Sequence, residues 1–399
     1  MTIRVLHIFS NNLRRRFRGM TPNWRYYFNR WDNSEIEHFV LDTKKSDVIT
    51  AVDAFDFELE NNQRMLSRWE RFVWFINLFT SLRKHKREYD ILHSHVLLWG
   101  GLFMALWAKW NNIPSIYESV LLDSDTPGSI GEQGFGKLKL WLLQQYSGIL
   151  AISEGIALDY KANGFFEESV HTLVCSIDTD IFRPVVSKEE KRTIREAHCL
   201  PQNDIILTFA GSLIYRKGVD LVINAFVEAY KESPNLFLLL VGPKNKNENP
   251  SIDEDFLYHV LQKLTPTNLS KNVVLPGLVQ NRQNLAEIYR ASDIFIFPSR
   301  QEGLGIVILE AMATGLPVIV SQLPVLEDII IDGENGIFVP LDDHDSLTQA
   351  ILRVSQDSAL RERLGRAAFE SIQKNNHFSK WQSDLVRIYQ GLLLEQKKA

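Results

Sequence analysis

The chain has 399 residues, 45% of them hydrophobic, which is enough to bury two full-sized cores. Its net charge of −5 and pI near 6.1 provide no global field for nucleic acid, and two cysteines, Cys175 and Cys199, supply neither a disulfide framework nor metal-ligand spacing. The longest apolar run, residues 96–107, is too short to span a bilayer, and MTIRVLHIFS lacks a small-residue cleavage pattern, so a soluble cytoplasmic protein is expected.

Residues 3–9 read as a buried strand, but SNNLRRRFRGM follows it in place of G-x-G-x-x-G, which disfavours a nicotinamide or flavin site. The basic run 14–18 precedes Trp24, Tyr26, Tyr27 and Phe28. It reads either as a surface for anionic lipid or a phosphorylated acceptor, or as a loop before a core-facing helix. Residues 64–87 predict an amphipathic helix with a basic end, its apolar face assigned to the sheet and membrane attachment the rival reading. ILHSHV sets His93 and His95 on one side of a strand end. Without further ligands the pair predicts a buried histidine rather than a metal site.

Residues 114–117 predict a strand leading into Glu118. Asp123 and Asp125 form a D-x-D tripeptide in a polar loop, with no context that makes it a metal site, and the glycine-rich residues 128–136 predict a mobile loop. Strands follow at 149–153 and 170–173, then the polar, proline-terminated link 175–184 and the charged helix KEEKRTIREAH.

The second half restarts with a strand at 205–210 and GSLIYRKG. Gly211 and Ser212 make the turn, and Arg216 and Lys217 stand before Gly218 and a helix over 219–230. Two adjacent cations at a strand-to-helix loop suit a diphosphate, Arg as a planar fork and Lys as a point charge; the other reading is a solvated pair. Further strands are predicted at 236–242 and in NVVLPGLV, and a helix at 281–291. DIFIFPSRQEGLGIVILEAMATGLPVIVS, residues 293–321, then reads as strand, glycine loop, helix and strand, with Gly315 and Pro317 stopping the helix. Gly303 and Gly305 let an anion or sugar approach the main chain at a helix start. Glu302 and Glu310 bracket that loop and read as hydroxyl binders, one for a hexose and one for a ribose, or as solvated helix-end charges. The last helix is predicted at 377–394.

PSRQEGLGIVILEAMATGLPVIVS resembles the signature of the retaining GT-B glycosyltransferases of family GT4, with the Glu-x7-Glu pair at Glu302 and Glu310. The likeness covers most of the chain and is densest in its second half. It implies an α/β protein of two Rossmann-like doubly wound parallel-sheet domains facing a central cleft. Residues 1–183 would be the acceptor side, with helix 377–394 packing back on it, and residues 184–376 the donor side. The activity implied is retaining, metal-independent hexosyl transfer in the making of polysaccharide, glycolipid or another glycoconjugate. Glu302, Arg216 and Lys217 take the catalytic positions of the pattern. Gly211, Ser212, Leu278, Val279, Gly303, Leu304, Gly305, Ile306 and Glu310 take donor-binding ones. Gly19, His95 and Glu118 stand at acceptor or cleft positions; only Gly19 remains of a usual glycine pair, and Glu118 and Ser119 stand where a His is common. No metal or cofactor is expected. The partners implied are a nucleotide sugar, UDP-linked first with GDP and ADP open, and a hydroxyl-bearing saccharide, lipid-linked or small-molecule acceptor, with peripheral contact at the inner face of a membrane. Rival readings are a nucleotide-sugar epimerase or hydrolase on the same scaffold, or a non-catalytic partner subunit.

Overall fold

Short strands that are apolar on both faces need helices above and below them, and this chain supplies that arrangement twice. The computed structural model describes residues 2–9, 24, 27–28, 30–31, 35–42, 47–50, 68–95, 97, 99–122, 125–267 and 269–396. They fall into two units, Met1–Cys175 with Phe378–Ala399, and Ser176–His377.

In the first unit the strands are Ile3–Ile8 (β1), Ile36–Asp42 (β2), Asp47–Thr50 (β3), Ile91–Ser94 (β4), Ser115–Ser119 (β5), Gly148–Ala151 (β6) and Val170–Thr172 (β7). They pair in the order β3-β2-β1-β4-β5-β6-β7, parallel except for β3, which runs antiparallel to β2 at the edge. The sequence reading had not anticipated this edge hairpin. The last helix, Phe378–Gln396, belongs to this unit and buries Trp381, Leu385, Tyr389 and Leu392 among Trp24, Tyr27, Phe28 and Trp31. Trp381 stacks on Tyr27 with ring centroids 3.8 Å apart. Trp24, Tyr27 and Phe28 are therefore core residues, while residues 14–18 and Tyr26 lie outside the described residues.

Two expectations are corrected here. Residues 128–136 are mostly helical: Pro127 at the first helical position opens the helix Pro127–Glu132, and after a turn at 133–135 a second helix, Gly136–Leu143, follows. Asp125 closes the turn ahead of them, accepting from the backbone N–H groups of Val120 (3.0 Å) and Leu121 (2.8 Å), while Asp123 lies outside the described residues. The helix Arg68–Lys84 is not cleanly two-faced: Trp74, Leu78 and Leu82 are buried, yet Trp69 (70% exposed), Phe72 (53%), Val73 and Ile76 face outward.

The second unit contains Ile205–Ala210 (β8), Leu236–Val241 (β9), Val273–Gly277 (β10), Ile294–Phe297 (β11), Val318–Ser321 (β12) and Ile337–Val339 (β13). All are parallel, in the order β10-β9-β8-β11-β12-β13. Because β9 and β11 flank β8 on opposite sides, the strand order reverses there, and the loops leaving β8 and β11 frame a crevice at their carboxyl ends. Asp293, just before β11, accepts from Ile206 N–H (2.7 Å), Lys191 Nζ (2.6 Å) and Arg195 Nη2 (2.6 Å), tying the helix Lys188–Ala197 to both central strands.

Candidate functional site

The loops after β8 and β11 are laced together by main chain and by the side chains of Arg300 and Arg216. Gly218 sits at φ 75°, and a Cβ there would lie 2.0 Å from the carbonyl oxygen of Pro298, so only glycine lets the loops approach this closely. The Arg300 N–H donates to the carbonyl of Arg216 at 2.8 Å. Its guanidinium takes both oxygens of Asp220 at 2.9 Å, lies 3.7 Å from the ring centroid of Tyr215 and reaches Asp342 at 2.5 Å. Arg300 was not singled out in the sequence, where nothing marks it beyond its place between Ser299 and the glycine loop.

This lacing brings the predicted cations to the predicted acid. Arg216 Nη1 donates to the carbonyl of Gln301 at 2.7 Å, and Lys217 Nζ forms an ion pair with the Glu302 carboxylate. The pair is largely out of water, with side-chain exposures of 15% for Lys217 and 7% for Glu302, and Nζ lies 5.1 Å from the ring centroid of Phe297. Burial pulls the Lys217 ammonium below its usual range; Glu302 opposes this and Arg216 adds to it. Gly303, Leu304 and Gly305 are buried, and Gly305, at φ 72°, caps the helix Ile306–Ala313, whose first N–H groups have no partner within the helix.

Glu310 has a cation of its own. It is 4% exposed, 3.3 Å from Arg282 Nη2 at the start of the helix Arg282–Ala291, and burial pushes its carboxyl up to about 7 against the pull of Arg282. Arg282 is a second residue the sequence did not mark, because its partner lies in a different helix. Gly211 and Ser212 follow β8, and the Ser212 hydroxyl accepts from Asn249 Nδ2 at 3.1 Å. Leu278 and Val279, both half-buried, follow Gly277, whose carbonyl accepts from Gly242 N–H at 3.0 Å. The loops after β8, β9, β10 and β11 thus all open at one edge of the sheet.

In the first unit, His95 and Glu118, which were picked out separately, are bonded to each other through His95 Nδ1. Glu118 also accepts from Trp24 Nε1 at 3.1 Å, and burial raises its carboxyl above the usual range. Both side chains are buried, and Gly19 lies outside the described residues.

Two cations, a glycine-capped helix start and a buried carboxylate at the switch point of a parallel sheet can meet a phosphate and hold a hydroxyl beside it. Residues 190–371 match the family described as glycosyl transferases, group 1. The chain is 27% identical over 298 residues to a D-inositol 3-phosphate glycosyltransferase of Kribbella flavida, spanning 71% of this chain and 67% of that protein. It is 29% identical over 312 residues to an uncharacterized glycosyltransferase of Methanocaldococcus jannaschii, spanning 76% of this chain and 75% of the relative. A glycosyltransferase structure from Rickettsia africae superposes with a TM-score of 0.75 at 18% identity, covering 98% of this chain and 99% of the other. Anabaena HepE, solved with UDP and glucose, gives 0.72 at 15% identity over 97% and 99%. At such identities the solved structures speak for the fold alone. The match over residues 190–371 and the sequence relatives support a GT4-like glycosyltransferase, and the chain has the two-domain α/β GT-B fold.

Proposed function

We propose that this protein is a retaining glycosyltransferase that moves a hexosyl group from a nucleotide sugar, a UDP-sugar first, to a hydroxyl acceptor in polysaccharide, glycolipid or other glycoconjugate synthesis. The observation that carries the reading is the ion pair of Lys217 with Glu302, from loops 85 residues apart, beside Arg216 and the glycine-capped helix. Breaking the bond from the anomeric carbon to the diphosphate oxygen leaves negative charge on the departing nucleotide. Arg216, Lys217 and the main-chain N–H groups around Gly303, Leu304 and Ile306 meet that charge without a metal in the transfer step. Glu302, held beside Lys217, orients the sugar hydroxyls; Glu310 holds the ribose; Gly211, Ser212, Leu278 and Val279 line the nucleotide. The acceptor hydroxyl attacks from the face the nucleotide leaves and passes its proton to the departing phosphate oxygen, which preserves the anomeric configuration.

UDP as the first carrier is supported by the UDP and glucose held by Anabaena HepE. A hydroxyl-rich acceptor is supported by the relative named for inositol 3-phosphate. We assign the acceptor to the carboxyl edge of β1, β4 and β5, where His95 and Glu118 stand. No helix among the described residues is long and apolar enough to cross a membrane. The outward Trp69, Phe72 and Ile76, on a helix that ends in the exposed Arg83 and Lys84, support peripheral contact with the inner face of a membrane.

Incubating the protein with UDP-, GDP- and ADP-sugars and measuring nucleoside diphosphate release tests the reading. Slow release from UDP-sugars is expected, lowered roughly 100-fold or more by Lys217→Ala or Glu302→Ala. Release from none of the donors, or full rates in both variants, refutes it.

A further inference from the structure

We propose that His7, His93 and His95 form a buried site for one divalent transition metal, zinc first. The parallel pairing of β1 with β4 sets His7 directly opposite His93, and His95 stands two residues further on the same side of the pleat. One ring nitrogen from each of the three lies within 4.8 Å of the others. His7 Nδ1 and His95 Nε2 are 3.0 Å apart. Tetrahedral zinc with bonds of about 2.1 Å separates its ligand nitrogens by about 3.4 Å, so this pair needs to open by only a few tenths of an ångström.

The remaining nitrogens are held as they are in metal sites, where each ligating histidine has its other ring nitrogen fixed by a neighbour. His7 Nε2 faces His38 Nδ1 at 2.8 Å, His93 Nδ1 faces the Tyr389 hydroxyl at 2.6 Å, and His95 Nδ1 meets the Glu118 carboxylate. The Trp24 indole N–H donates to the same carboxylate, and with His95 Nδ1 donating there too the His95 Nε2 lone pair is turned to His7 Nδ1. His93 Nε2 is the decisive atom: it is fully buried and has no hydrogen-bond partner. A purely hydrogen-bonded cluster accounts for the His7–His95 contact but leaves that nitrogen orphaned, at the cost of an unsatisfied buried polar group. A metal drawn to the lone pair of His93 Nε2, with His95 Nε2 and His7 Nδ1 as the other two ligands, uses it.

Sequence reasoning set the His93 and His95 pair aside for want of further ligands. His7, 88 residues before His95, is the one it lacked. The ion would clamp β1 to β4 and fix the His95–Glu118 pair, a structural task separate from the charge that Arg216 and Lys217 supply in the donor reading.

The test uses the full chain, stripped with a chelator, reloaded with Zn²⁺ or Co²⁺ and desalted. About one metal per chain is expected, with the visible absorption of tetrahedral nitrogen-ligated cobalt and a rise in Tm with zinc. His93→Phe, which keeps the bulk and removes both nitrogens, should abolish retention. Glu118→Gln should weaken it about 10- to 100-fold, and His259→Ala, an exposed control in the other unit, should leave it unchanged. Less than a tenth of an equivalent bound by the unaltered protein overturns the proposal, as does retention by His93→Phe equal to the unaltered chain. Should His93→Phe fail to fold, the stoichiometry and cobalt spectrum of the unaltered protein decide alone.

Discussion

Glu310 shows how one side chain can be easy to find and hard to interpret. Its spacing from Glu302 stands out in the sequence, but only the structure puts it against Arg282 and out of water. Burial raises its carboxyl from 4.5 to about 7, so between those values the folded chain holds a proton that the unfolded chain has released. Its contribution to stability therefore falls as pH rises from about 4.5 to about 7 and is level above that. Urea midpoints at about pH 5 and about pH 8 should drop more in the unaltered protein than in Glu310→Gln. Parallel curves for the two proteins would remove the case for a raised carboxyl. Lys217 and Glu302 were legible as residue types but not as partners, since their contact joins two loops.

At the scale of elements, strand–loop–helix units were read well because each is set locally: apolar runs of four to six residues, then glycine, then a 3.6-residue period. The strand Ile205–Ala210 has the bounds expected of it, and residues 293–321 form the expected strand, loop, helix and strand. Residues 128–136 were misread because glycine content outweighed the start signal at Pro127. Asp293 holds one helix against two strands and carries a prediction of its own. Burial pushes its carboxyl up, but Lys191 and Arg195 pull harder, so it titrates below 3.8. The stabilisation is present above that value and is lost as pH falls through the lower folded one. Asp293→Ala should cost about 3 kcal/mol by chemical denaturation near neutrality, because two cations lose their buried partner. A loss within measurement error would show the cluster to be dispensable. The outward aromatic face of Arg68–Lys84 makes a different kind of forecast: Trp69→Ser with Phe72→Ser should abolish sedimentation with anionic vesicles. Equal partitioning of variant and parent would leave peripheral contact unsupported.

For the molecule as a whole, the chain builds one unit, then the other, and returns to the first with its last helix. Trp381, Leu385, Val386, Tyr389 and Leu392 are core residues of that first unit, each contributing roughly 1.5–3 kcal/mol by burial. Their sum is comparable with the whole stability of a domain, about 5–15 kcal/mol. Ending the chain at His377 should therefore leave the first unit digested by protease while a fragment near 176–377 resists. Equal resistance of both units after truncation would show the helix to be an accessory. The sequence by itself determined the local chemistry: two strand-to-helix loops with glycines, adjacent cations at 216 and 217, acids at 302 and 310, and the alternation that makes α/β layers. These follow from residues within about ten positions of one another, where backbone geometry and periodicity act directly. Only the tertiary structure decided that Lys217 meets Glu302, that His7 joins His93 and His95, and that Tyr389 bonds to a histidine 296 residues earlier. Parallel strands reach their neighbours through crossovers, so spatial order in the sheet departs from chain order, and pairing across it depends on which faces are buried together.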